Sequence, residues 1–318
     1  MNTTKWGILG PGRIAMNFAN AMNVVENSQI KGVFSSNLER GQRFADDFNI
    51  PQVYASKQAL LSDSEIDVIY IAYPHNFHYD AVKECLLAGK AVLCEKPLTV
   101  TAEQAQELFD LAQTQHVFLM EAMWSRFLPV WQQVKQWIAS GQLGDIQFIN
   151  STFGFKVPRE ESDRLLNPEL AGGVLLDMGV YNISLSQYVM ACDPDSIRFD
   201  VLRGQTGVDE RTSVWLRYGD VLSQFSCSFT ANYDNEFIIH GTKANIRVPA
   251  MFWGATKVIL TPNEGEAISF NQPFDCNGFE YQIREVNLRI AQGEIQSSVM
   301  PWRDTLSAAR VMDKVLGI

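Results

Sequence analysis

Two periodicities divide the chain. Up to residue 120, short apolar runs alternate with stretches whose apolar positions recur three and four apart. The runs 5–10, 30–36, 66–72, 91–94 and 117–120 predict strands, and 13–22, 38–48 and 77–89 predict the helices between them. In the last of these, Phe77, Ala81, Cys85 and Ala88 recur at helical spacing and Gly89 supplies a stop. Another helix opens at residues 101–104, where Thr101 and Gln104 suit a capping box. The strand runs carry few polar residues, as strands buried on both faces of a parallel sheet do. Strand and helix alternating at this pace predict an α/β fold, a doubly wound parallel sheet.

Beyond Met120 the pattern changes. Residues 121–141, rich in aromatics, predict one helix leading out of the first domain. Strands follow at 146–155, 196–204, 211–218, 221–229, 236–241, 244–249 and 256–261, with helices at 172–190, 277–293 and 302–316. Strands joined by so few helices predict an α+β domain on a large, mostly antiparallel open sheet with helices on one face. The expected domains are 1–121 and 122–318, with 302–316 a candidate to pack back on the first. Trp215, Phe225 and Phe229 are expected to line the other sheet face, an apolar patch that predicts a homodimer.

Composition narrows the partners. With 46% hydrophobic and 19% charged residues, the 318-residue chain reads as globular and long enough for two cores. A net charge of −10 without a basic stripe argues against nucleic acid or an anionic membrane as the main partner. Five scattered cysteines, without CxxC spacing, read as reduced thiols and predict a cytoplasmic protein. The amino terminus does not read as a signal peptide. The spacing of the four histidines predicts no metal site.

Three stretches carry candidate chemistry. "GILGPGRIA" places Gly10, Pro11, Gly12, Arg13 and Ile14 between the first strand and first helix, where a glycine turn and a helix N-terminus receive a dinucleotide pyrophosphate. At the end of the second strand, Ser35, Ser36 and Asn37 replace the acid that would bind a ribose 2′-hydroxyl, and Arg40 follows one turn later. That set favours NADP, with NAD possible as well. "AVLCEKPLTV" ends a core strand on Glu95, Lys96 and Pro97, an acid and an amine where a central strand must stop. In "AGGVLLDMGVY", Asp177 and Tyr181 are four apart and would share a helix face among apolar neighbours. An Asp–Tyr pair that merely orders the helix fits that spacing equally well.

Taken with "FLMEAMWSRFLP" and "TGVDERTSVWLRY", these stretches resemble the Gfo/Idh/MocA oxidoreductase family over essentially the whole chain. The resemblance implies a Rossmann domain and a substrate domain whose cleft holds the nicotinamide. It implies that Lys96 lies beside that ring, and that Asp177 and Tyr181 face it. Tyr73, His75 and His78 in "YPHNFH" would be cofactor-side residues, and Glu95 would orient the loop or meet the nicotinamide ribose. Trp124, Arg126, Phe153, Trp253 and Phe279 would form the substrate wall. The implied activity is hydride transfer between NADP and the CH–OH group of a sugar or cyclic trans-diol, with Tyr181 as acid/base. A phenol, with a reference pKa of about 10, is a poor base at neutral pH, and the Lys96 ammonium would favour its ionised form. Tyr181 favours the dihydrodiol/xylose branch, although many of its members have arginine where this chain has Ser36. Two alternatives stay open: an NAD-dependent inositol or sugar-alcohol dehydrogenase, and a non-catalytic dinucleotide-sensing regulator.

Overall fold

The computed structural model describes residues 3–158 and 163–318. It forms two compact units, Met1–Trp124 with Asp275–Leu306, and Ser125–Phe274 with Ser307–Ile318.

In the first unit, β1 (Thr4–Leu9), β2 (Ser28–Phe34), β3 (Gln52–Tyr54), β4 (Val68–Ile71), β5 (Ala91–Glu95) and β6 (Leu119–Ala122) form one parallel sheet. Its order is β3-β2-β1-β4-β5-β6. Helices α1 (Arg13–Met22), α2 (Leu38–Phe48), α3 (Lys57–Leu61), α4 (His78–Leu87) and α5 (Ala102–Gln115) connect the strands. The order reverses between β1 and β4, and in such sheets ligands bind outside the carboxyl ends of the strands at that switch. All of β4 and β5 is buried, which is why their sequences read as unbroken apolar runs. The α2 boundaries match expectation because Asn37 caps the first turn and Asn49, in the left-handed region, ends the last. Thr101 likewise caps α5, accepting from the Gln104 backbone N–H.

The second unit contains α6 (Pro129–Ala139), β7 (Ile146–Gly154), α7 (Val180–Met190), β8 (Ser196–Arg203), β9 (Asp209–Tyr218), β10 (Val221–Ser228), β11 (Phe237–Gly241), β12 (Ala244–Val248), β13 (Lys257–Pro262) and β14 (Ile268–Asn271). Its sheet runs β14-β13-β12-β11-β7-β10-β9-β8. Every pairing is antiparallel except β7 with β10. Helix α7 is buried nearly all round although it carries Asn182, Ser184, Ser186 and Gln187. Each has at least one partner within its unit, such as Ser151 Oγ for Asn182 and Ser223 Oγ for Ser186, which offsets part of the cost of burying them, while Asn182 Oδ1 and Gln187 Oε1 find no partner among the described residues.

Three expectations change. Residues 121–141 are not one helix: β6 runs to Ala122, a 3₁₀ turn spans Trp124–Phe127, and α6 starts at Pro129. Proline fits the first helical position and not the interior, so it marks a start here. Helix α8 (Phe279–Ala291) and the first turn of α9 (Trp302–Leu316) belong with the first unit. The Asn277 side chain donates to Asn17 O and that of Asn287 to Ser28 Oγ, which fixes this segment along α1. The expected apolar sheet face also dissolves. Phe225 pairs with inward-facing Val214 and is buried, as is Phe229, whereas Trp215 lies opposite Gln224 on the other face. That face is laced with polar contacts, among them Trp215–Gln224, Gln224–Asn150 and Ser213–Ser226. Phe225 and Phe229 therefore do not join Trp215 in a continuous aromatic patch through which two copies could pair.

Candidate active site

The charged strand end is built from below. Glu95 closes β5 fully buried, and its carboxylate accepts from the Tyr70 hydroxyl of β4 at 2.5 Å. Tyr70 stacks on Phe18 of α1 at 3.8 Å between ring centroids. Burial pushes the Glu95 carboxyl up to about 7, against the Tyr70 hydrogen bond and the Lys96 charge, and Glu121 adds to the rise. Lys96 stands half-buried just past the strand, followed by a cis peptide to Pro97. The loop is held on two sides. The buried His78 ring lies 2.8 Å from both Pro97 O and Tyr73 O, bridging the loops that follow β5 and β4. Glu121 accepts from Leu98 N and from the Thr305 hydroxyl of α9, each at 3.0 Å.

Glu95 makes a stability prediction. The folded chain holds its proton up to about 7, whereas an ordinary glutamate loses it near 4.5. The resulting contribution is complete below the ordinary value and is lost as pH rises through about 7. Glu95→Gln keeps the neutral shape and removes the ionisation. Relative to the parent, the variant should gain about 1–3 kcal/mol between about pH 5 and about pH 8 in urea unfolding. An identical difference at both pH values would contradict a buried, titrating Glu95.

The glycine turn fits a dinucleotide. Gly10 has φ +87° and packs under Tyr73, where a Cβ would come within 2.7 Å of the ring. Above Gly12, by contrast, a Cβ would meet nothing within 4 Å. Helix α1 starts there with no side-chain cap and no acid in its first turn, so its N-terminus suits a pyrophosphate. After β2, Ser35 Oγ accepts from Asn37 N and Asn37 Oδ1 from Arg40 N, so both side chains are engaged in shaping the turn. Ser36 and the Arg40 side chain are exposed.

In the second unit, residues 175–179 form a π-turn that runs into α7, with Asp177 inside the turn and Tyr181 second in the helix. The regular helix expected over 172–190 is therefore absent at its start, where Gly172 and Gly173 open the chain instead. Arg164 reaches Asp177 Oδ1 at 3.2 Å, a partner that spacing did not reveal. Tyr181 lies 5.8 Å from the Phe153 ring, which stacks on Trp253 at 3.7 Å and 7°. Phe155 meets Trp253 edge-on, extending the aromatic surface.

The structure thus groups Tyr181, Phe153 and Trp253 in one unit, and Trp124 with Phe279, stacked at 5.1 Å, in the other. Arg126 departs from the expected wall. Its guanidinium is fully buried, donating to Ser184 Oγ and Ser184 O beside the Tyr188 ring. It buttresses α7. His78 is likewise committed to two backbone carbonyls instead of lying open to a cofactor. Sequence reading passed over Phe155, Tyr70 and Arg164. Only Phe155 carried a signal, as the next aromatic along the strand from Phe153.

A family model described as an oxidoreductase family with an NAD-binding Rossmann fold matches residues 4–123, and the GFO/IDH/MocA C-terminal domain matches residues 131–247. The chain belongs to the GFO/IDH/MocA family. Membership makes it a nicotinamide-dependent oxidoreductase, with the parallel sheet as its dinucleotide domain. Its relatives include trans-1,2-dihydrobenzene-1,2-diol dehydrogenases from Xenopus tropicalis, 35% identical over 98% of this chain and 97% of that protein, and from Homo sapiens, 33% identical over 98% and 95%. Among solved structures of the fold is a 3-ketoreductase from Actinomadura kijaniata, crystallised with NADP and TDP-benzene. It is 25% identical, with a TM-score of 0.87 over 99% of this chain and 97% of that one. Variants of the ketoreductase with one lysine or one tyrosine replaced have also been crystallised. Among the described residues, no helix is long and apolar enough to cross a membrane.

Proposed function

We propose that the chain is an NADP-dependent dehydrogenase acting on the CH–OH group of a sugar or cyclic trans-diol. The observation that carries this reading is Lys96 at the carboxyl edge of β5, in a sheet whose order opens a ligand crevice along that edge. Relatives over nearly the whole chain are named dihydrodiol dehydrogenases, and a ketoreductase of this fold was crystallised with NADP. The lack of an acid among residues 35–37, with Ser36 and Arg40 exposed there, supports NADP over NAD. When bound, the dinucleotide supplies the hydride acceptor. Tyr181 exchanges the hydroxyl proton, Lys96 assists with its positive charge, and Asp177 holds the charged group beside it. Phe153 and Trp253 offer a flat apolar surface to a ring face. Five free cysteines support a reducing, cytoplasmic setting.

Reduced-nicotinamide absorbance over a panel of aldoses and cyclic diols, with NADP and NAD separately, tests the reading. Turnover with NADP is expected, and Arg40→Ala should raise the KM for NADP about tenfold while sparing NAD. No turnover across the panel with either cofactor would overturn it.

A further inference from the structure

Two of the motifs in this chain, "AGGVLLDMGVY" and "TGVDERTSVWLRY", lie about thirty residues apart, and the second has no role in the reading above. They meet at one carboxylate. Asp209, the first residue of β9 and only 2% exposed, accepts from the Leu175 backbone N–H at 2.8 Å and from the Thr212 hydroxyl at 3.0 Å through the same oxygen. Leu175 opens the π-turn that carries Asp177 and leads to Tyr181. The other oxygen fills the space above Gly173, where a Cβ would lie 2.1 Å from it, and Gly173 has φ +120°. Glycine is therefore required there twice over, by its backbone and by the carboxylate. At the end of the turn, Gly179 leaves space for Cys227 of β10, which would stand 3.1 Å from an added Cβ. The turn is held from two adjacent strands.

We propose that Asp209 is a positioning residue for the dehydrogenase reaction: by capping Leu175 it sets the π-turn and, through it, the placement of Asp177 and Tyr181. Burial raises the Asp209 carboxyl, against its hydrogen bonds to Leu175 and Thr212, so a group costly to bury is kept where an apolar side chain would pack. A loosened turn leaves Tyr181 present but misplaced, and misplacement by about 1 Å can cost about a hundredfold in rate.

The inference rests on the proposed activity, and its test separates the two. In the full chain with NADP and the best alcohol of the panel, Asp209→Ala should lower kcat about a hundredfold. KM and cofactor affinity, the latter read by nicotinamide fluorescence, should change about threefold at most. Asp209→Asn, which keeps an acceptor for Leu175, should recover at least about tenfold of that loss. Thr212→Val, a milder change that removes only the orienting hydroxyl, should lower kcat about fivefold and decides the matter if Asp209→Ala does not fold. A folded Asp209→Ala with parental kcat, an Asn variant as impaired as the Ala variant, or an unaffected Thr212→Val where Ala fails to fold would overturn the positioning role. A parent inactive on the whole panel would instead overturn the dehydrogenase reading.

Discussion

Replacing Lys96 by methionine should lower kcat by about three orders of magnitude while NADPH binding changes little. The side chain stands at the end of a fully buried strand, on a loop pinned by His78 and Glu121. Methionine has similar length and no charge, so the loop keeps its supports and loses only the ammonium. Steady-state rates with cofactor titration by fluorescence separate the two effects. Parental kcat in the variant would remove Lys96 from the chemistry. A large loss of NADPH affinity with kcat unchanged would make it a binding residue only.

The second large effect is expected at Tyr181. Tyr181→Phe keeps the ring beside Phe153 and removes one oxygen, so packing is retained and proton exchange is lost. The expected fall in kcat is about 10²–10⁴-fold, the usual worth of a positioned acid/base group. The pair also has a signature of its own. If both groups serve one proton transfer, the double variant should be about as slow as the slower single variant, because residues acting as a unit are not additive. Multiplying losses would mean that they act in separate steps.

Much of the first unit was legible because its signals are local. The ends of α1 and α2 follow from Gly12 and Asn37, and β4 and β5 from apolar runs buried on both faces. β3 and α3, three and five residues long, are too short to show a period. In the second unit, β7 to β13 announced themselves by alternation, yet alternation does not say which face is covered. That choice is made by register, which sets Phe225 against Val214 and turns Trp215 the other way. The start of α7 was illegible for another reason. A helix buried all round, with polar residues tied to several elements, has no amphipathic stripe, and a π-turn has no helical repeat to detect. The motif residues were readable through the family resemblance, whereas the supporting roles around them were not. Asp209, His78 and Arg126 work through contacts that span tens of residues in sequence.

The β6 strand of the first unit is completed from the far end of the chain. Leu119 N donates to Ile295 O, the Trp302 indole donates to Leu119 O, and the Trp302 ring lies on Phe109 of α5. During synthesis, this sheet edge therefore stays uncovered until residues 295–302 have been made. An open edge of that kind recruits other nascent chains, which makes the interval one in which chaperone cover matters.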